Sequence, residues 1–164
     1  MPITPFHFGL GALLHGAAPR HVSFLSFCTA NVLIDVESLY NLVQRNDPVH
    51  AFLHTYVGAT LIVTATSMLF LAARALAARG WLPASLRWRK LTVRQVVVGA
   101  VLGSYSHVVL DSVMHGDIQP LLPFSPTNDL LGVVSLGALH VACLAAGVVG
   151  AVLVAVRSTR EQNT

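Results

Sequence analysis

The stretch Gly103-Ser104-Tyr105-Ser106-His107-Val108-Val109-Leu110-Asp111-Ser112-Val113-Met114-His115-Gly116-Asp117 decides how the chain is read. His107, Asp111 and His115 recur at every fourth position inside an apolar run, so on a helix they form one polar stripe along an otherwise greasy rod. Imidazole and carboxylate groups at this spacing suit a divalent metal. Burying them among apolar side chains with neither a metal nor another partner would be costly.

The rest of the composition puts that stripe in a membrane. Of 164 residues, 54% are hydrophobic and 10% charged, with a mean hydropathy of +0.68, whereas soluble domains are about 25% charged. The expectation is an integral membrane protein of one domain, residues 1–164. Eight histidines outnumber seven acidic residues, which is odd for a chain that otherwise avoids polarity. The net charge of +3 does not point to nucleic acid, because the basic residues lie between and after apolar segments, where they report topology. Cys28 and Cys143 sit in apolar runs without a CxxC pattern and read as small buried residues. The segment Met1 to Gly16 lacks a basic start and an Ala-x-Ala site and carries His7 and His15, so it is not expected to be a cleaved signal peptide.

Thr4-Pro5 is a helix-start signal for a short segment from Pro5 to about Ala17. At roughly 20 Å it is too short to cross a core of about 30 Å upright, so it should be partly inserted or re-entrant. Longer apolar segments run from about Val22 to Val43, Val49 to Ala78, Leu91 to Met114 and Asp129 to Val156. Asp47-Pro48 signals the start of the second of these, which places His50 and His54 in its first turns. The expected fold is therefore an all-α helical bundle of four long transmembrane helices plus the short N-terminal helix, with 157–164 as a disordered cytoplasmic tail. The loop 79–90 is basic and carries Trp81 and Trp88, suited to a membrane surface; the loop 116–128 holds Pro120, Pro123 and Pro126 and is either a lid or a rigid connection.

Arg74, Arg79, Arg87, Arg89, Lys90 and Arg94, with Arg157 and Arg160, should face the cytoplasm by the positive-inside rule. Threading the spans from there brings His7, Asp35, Glu37, His50, His54, His107, Asp111 and His115 to one level near the outer face. Each ionisable group in a span costs on the order of 2.5–3.5 kcal/mol unless it is paired. Here a metal can pair them mutually. His50/His54 and His107/Asp111 are two i, i+4 pairs able to make a mixed nitrogen and oxygen site. Asp35 and Glu37 are about 200° apart on a regular helix, so Asp35 is the favoured ligand and catalytic carboxylate, with Glu37 behind it or acting as general base. With His7 and His115 there are more ligands than one tetrahedral zinc uses. One or two divalent ions are therefore expected, zinc first with manganese or magnesium as alternatives, bridged by a carboxylate and activating water. Tyr105 could reach a substrate oxygen.

A plainer alternative stands beside each assignment. The same histidines and acids could form a hydrogen-bonded cluster that fixes helix packing. Glu37 could be a cap, His7 an interfacial side chain, His115 a histidine favoured by the helix dipole, and Tyr105 a bond within the bundle. His15, His21 and His140 read as structural or interfacial.

Blocks of this chain also resemble a known family. Pro2-Ile3-Thr4-Pro5-Phe6-His7, Ala30-Asn31-Val32-Leu33-Ile34-Asp35-Val36-Glu37, His50-Ala51-Phe52-Leu53-His54-Thr55, Gly103-Ser104-Tyr105-Ser106-His107-Val108-Val109-Leu110-Asp111 and Pro120-Leu121-Leu122-Pro123-Phe124-Ser125 are similar to those of the bacterial YdjM-like membrane-bound metal-dependent hydrolases. Asp35-Val36-Glu37-Ser38 stands where that family often has an Asp-x-Asp-His turn. The resemblance implies a multi-pass bacterial inner-membrane hydrolase with ligands at His7, Asp35, His50, His54, His107 and Asp111. With the topology above, the expectation is a periplasm-facing site, a cytoplasmic C-terminus and a membrane lipid or lipid-linked phosphoester as substrate. The competing expectations are a metal-binding or metal/proton-transport protein and a purely structural subunit. A proton or ion relay needs polar groups in the cytoplasmic half, where the last three spans offer chiefly Gln95 and a few Ser or Thr.

Overall fold

Two side-chain caps start the helices that carry most of the polar stripe. In the computed structural model, which describes residues 4–82 and 90–162, the Ser23 hydroxyl accepts from the Ser26 N–H at 3.2 Å and starts α2 (Phe24–Gln44). Thr92 and Gln95 form a reciprocal capping box that starts α4 (Val93–Met114). The other helices are α1 (Thr4–Ala17), α3 (Tyr56–Ala78) and α5 (Leu136–Gln162), with a 3₁₀ turn at Phe52–His54. The described residues contain no strand.

Helices α3, α4 and α5 are long and apolar enough to cross a membrane. The 21 residues of α2 have the length, but Asn31, Asp35, Glu37 and Asn41 leave it short of the apolarity of those three. The expectation of four spans is thus met by three helices on this criterion. α4 is the central rod: half of its apolar window is buried, against 17% for α3 and 11% for α5. It packs on α2, α3 and α1, while α1 lies mainly along α5. Ala30, Ile34, Ala59, Ile62, Ala100 and Val108 form the apolar core between α2, α3 and α4.

Missing side chains let these helices approach closely. A Cβ on Gly103 of α4 would stand 2.6 Å from the Phe27 carbonyl oxygen of α2. Where α1 meets α5, a Cβ on Gly9 would collide with the Cys143 carbonyl and one on Gly150 with the Ala12 backbone.

Three boundaries differ from expectation, each for a local reason. The expected helix from Val49 starts instead at Tyr56, capped by Thr55, whose hydroxyl accepts from the Gly58 N–H at 2.9 Å. Side chains from elsewhere hold the backbone over 49–55 in a different path. Asn41 donates to the Val49 carbonyl (3.2 Å), Asp117 accepts from the His50 N–H (3.0 Å) and Glu37 from the Leu53 N–H (2.6 Å). Second, α5 starts at Leu136 and not at Asp129, because Asn128 and Gly132 tie the preceding segment to the end of α4, at Ser112 (2.9 Å) and Val113 (3.0 Å). Third, residues 157–162 of the expected tail continue α5, and an Arg157 guanidinium N–H donates to the Ala17 carbonyl at 3.1 Å. The loop 116–128 is a tethered connection: Ile118 is fully buried and the Pro120 carbonyl accepts from the Tyr56 N–H at 2.9 Å. The basic-loop residues Arg87, Trp88 and Arg89 lie outside the described residues.

Leucine at Gly9 or Gly150 should force α1 from α5. Overpacking of this kind costs about 1–3 kcal/mol, so thermal unfolding in detergent should move down by several degrees. Gly137→Ala, where a Cβ meets nothing within 4 Å, should leave the transition unchanged or raise it.

Candidate metal centre

On α4, His107 and Asp111 project from one face at i, i+4. Across from them α2 turns Asn31, Asp35 and Ser38 inward, the 3₁₀ turn supplies His54, and α1 supplies His7. These elements meet around Asp111, which is 2% exposed. Its Oδ2 lies 3.2 Å from His107 Nε2 and 3.5 Å from His54 Nε2, and its Oδ1 lies 3.2 Å from His7 Nε2. Asp35 Oδ1 completes the ring at 3.3 Å from His107 Nε2 and 3.7 Å from His54 Nε2.

The other edge of each ring is held from behind. Asn31 donates its amide to the carbonyls of Phe27 (2.8 Å) and Gly103 (3.4 Å), which turns its Oδ1 toward His107 Nδ1 at 2.9 Å. An acceptor at that point requires a proton on His107 Nδ1, which in the neutral ring leaves the lone pair on Nε2. His7 Nδ1 lies 3.1 Å from the same nitrogen, and His54 Nδ1 lies 3.4 Å from the Ser38 hydroxyl. His50 Nδ1 faces both oxygens of Asp117 at 3.0 Å, which in the neutral ring leaves the lone pair on Nε2 as well. Partner groups that fix one nitrogen and free the other are the usual company of metal-ligating histidines.

The inward atoms lack such partners. Nε2 of His7, His50, His54 and His107 and Oδ2 of Asp111 are sealed from solvent and have no hydrogen bond among the described residues. Lone pairs of imidazole and carboxylate facing one another in an apolar interior are stable only with a proton or a cation between them. Burial alone would lower the His54 pKa, but the Asp111 and Asp35 carboxylates facing it outweigh that and push it above its ordinary value. The cluster draws in positive charge. At the rim, His115 is held below its ordinary pKa by burial and by neighbouring His50. Partial burial would raise the Asp117 pKa, but the His50 N–H and ring outweigh it and keep the carboxyl below the usual range.

Two sets of donors lie within ligand distance. Asp35, His54, His107 and Asp111 each offer an atom within 4.8 Å of the others, as do His50, Asp111 and His115. A buried group of this kind could hold a metal ion. Neither cysteine joins it.

Two expected site residues face elsewhere. The Tyr105 hydroxyl bonds the Thr60 hydroxyl at 2.8 Å and its ring stacks on Tyr56, about 200° around α4 from His107, so it does not line the cluster. Glu37 Oε2 accepts from the Leu53 N–H at 2.6 Å, where it braces the turn that presents His54, and Glu37 is in neither set of donors within ligand distance. His50 and His54 come together from an irregular turn, ring centroids 4.8 Å apart, and not from one helix face. Sequence reasoning assigned no site role to Asn31, Ser38 or Asp117. For the first two, the spacing Asn31, Asp35, Ser38 puts all three on one helical face and was the available signal; for Asp117, only its place two residues beyond His115 was.

No protein-family model, curated protein or solved structure matches the chain.

Replacing Asn31 with leucine removes the acceptor that orients His107 while filling the space with an apolar group. Loss of such a supporting partner typically weakens metal affinity 10–100-fold, and competition with a chromogenic chelator should show a drop of that size.

Proposed function

We propose that the chain is a membrane-bound metal-dependent hydrolase whose ion sits among Asp35, His54, His107 and Asp111. The observation that carries this reading is the convergence of buried, unpartnered Nε2 atoms on Asp111 while the opposite ring nitrogens of His50, His54 and His107 are held. The sequence blocks similar to the YdjM-like hydrolases support the same ligands.

The bundle suits lipid on its outside. On α2, Val32, Val36, Leu39 and Val43 are exposed at helical spacing, while Asn31, Asp35 and Ser38 face inward. We read α2 as the fourth span, its polar groups hidden from the bilayer by the helices it packs on. Arg74, Arg79, Lys90, Arg94, Arg157 and Arg160 gather at the end of the bundle opposite the cluster, which favours a cytoplasmic C-terminus and a site at the periplasmic level of a bacterial inner membrane.

When bound, a divalent ion would supply Lewis-acid polarisation of an ester oxygen and activation of water near neutral pH. The chain's own residues do the rest. Asn31 and Ser38 set the His107 and His54 rings, and Glu37 braces the turn that carries His54. Ile34 and Val108, both fully buried, close the site from below. A crevice of about 380 Å³ opens beside His50, lined by Pro48, Phe52, Val57, Leu122 and Pro123 with Gln119 and Asp117 as polar points. Its apolar walls favour a substrate with a hydrocarbon tail, a phospholipid or lipid-linked phosphoester. A transport reading finds less support: among the described residues the fully buried polar groups toward the basic end are the hydroxyls of Ser23, Ser26 and Thr66, which do not titrate near neutrality, and the half-buried His15 ring is held on the Val22 carbonyl at 2.7 Å.

Metal analysis of the purified protein should find zinc or manganese, lost in His54→Ala and Asp111→Ala. Incubation with a lipid extract, followed by mass spectrometry, should show a hydrolysis product that Asp111→Ala does not make. Wild-type protein that is fully folded, metal-free and indifferent to chelators would contradict the reading, and bound metal without turnover would favour a carrier.

A further inference from the structure

We infer that His50, His115 and Asp111 hold a second divalent ion, that Asp111 bridges it to the inner one, and that this outer ion is the one substrate meets. The inference rests on the hydrolase reading above and goes beyond it in dividing the labour between two positions.

Asp111 is already divided between two neighbourhoods. Oδ2 faces His54 and His107, whereas Oδ1 is turned to His7. Asp111 also belongs to both sets of donors within ligand distance, with Asp35, His54 and His107 on one side and His50 and His115 on the other, so its carboxylate is the group the two sets share. The outer group is as well prepared as the inner one: His50 is 5% exposed, and its Nε2 is buried without a hydrogen bond. Its backbone N–H and its Nδ1 are both fixed by Asp117 at 3.0 Å, so the ring cannot turn away. Carboxylate, histidine and metal in a row is a recurrent arrangement around bound ions. The His115 ring stacks on His50 with centroids 4.3 Å apart, which sets its nitrogens beside the same point, and a donor atom of each lies within 4.8 Å of Asp111.

The two groups differ in the number of donors and in exposure. The inner group has four protein ligands and lies among core residues, the closed type of site. The outer group has three, and His50 and Asp117 line the apolar crevice. Three protein ligands and an open side are what catalytic metal sites have in common. The inner ion therefore anchors the bundle and orients Asp111, while the outer position faces a phosphoester whose tail lies along Phe52, Leu122 and Pro123.

Metal analysis of manganese-loaded protein, with electron paramagnetic resonance on the same samples, tests this. Wild type should bind two ions per chain with an exchange-coupled spectrum. His115→Ala and His50→Ala should each bind one ion, with the uncoupled six-line pattern. Asp117→Asn keeps every ligand and guards against a folding failure at His50; it should bind the second ion 10–100-fold more weakly while the first is unchanged. One ion with an uncoupled spectrum in wild type, or two ions retained in His50→Ala and His115→Ala, would overturn the second site and leave the hydrolase reading standing. No ion in folded wild type would overturn both.

Discussion

Asp111 is the constraint on which the rest of the structure depends. A carboxylate with 2% of its surface exposed, in the middle of an apolar bundle, has to be neutralised where it stands, and three imidazoles surround it, His107 from one turn earlier on the same helix and His7 and His54 from two other places in the chain. Breaking such a buried set by removing one partner typically costs 3–5 kcal/mol, because the remaining charge has no water to retreat to. The helices are therefore positioned as much by the demand of this carboxylate as by the apolar contacts beneath it.

Each element can be understood by what it brings to that point. α4 is the most buried of the apolar helices because it carries two of the groups, and Gly103 lets α2 come near enough for Asn31 to hold His107. α2 reverses the usual pattern of a surface helix, polar inward and apolar outward, which suits a membrane around a buried polar cluster. The segment before α3 gives up regular helix for an irregular turn, and its backbone groups bond to the side chains of Asn41, Glu37 and Asp117. That exchange is what turns His54 to the inner group and His50 to the outer one.

The positions of most helices were legible in the sequence because apolar length and basic loops are strong signals in a membrane chain. The residues of the cluster were legible because an ionisable group inside an apolar run has to be explained. What was not legible came from long-range contact. Asp47-Pro48 carries a local helix-start signal, and only tertiary partners reveal that the helix waits until Tyr56. Glu37, two residues from Asp35, looked like chemistry and is found as a backbone acceptor; Asp117, at the end of the opening stretch, looked like loop and proves to hold His50. Spacing along one chain cannot say which of two neighbouring carboxylates faces a partner from sixteen or sixty-seven residues away.

The central claim is that this cluster is a ligand cage and not merely polar glue between helices. X-ray absorption at the zinc edge, on protein loaded in detergent and freed of excess metal, tests it most directly. The account expects an all nitrogen and oxygen first shell near about 2.0–2.2 Å, with the multiple-scattering features of more than one imidazole and no sulfur. A spectrum of hydrated zinc without imidazole, or protein that returns to metal-free after desalting with its fold unchanged, would contradict it.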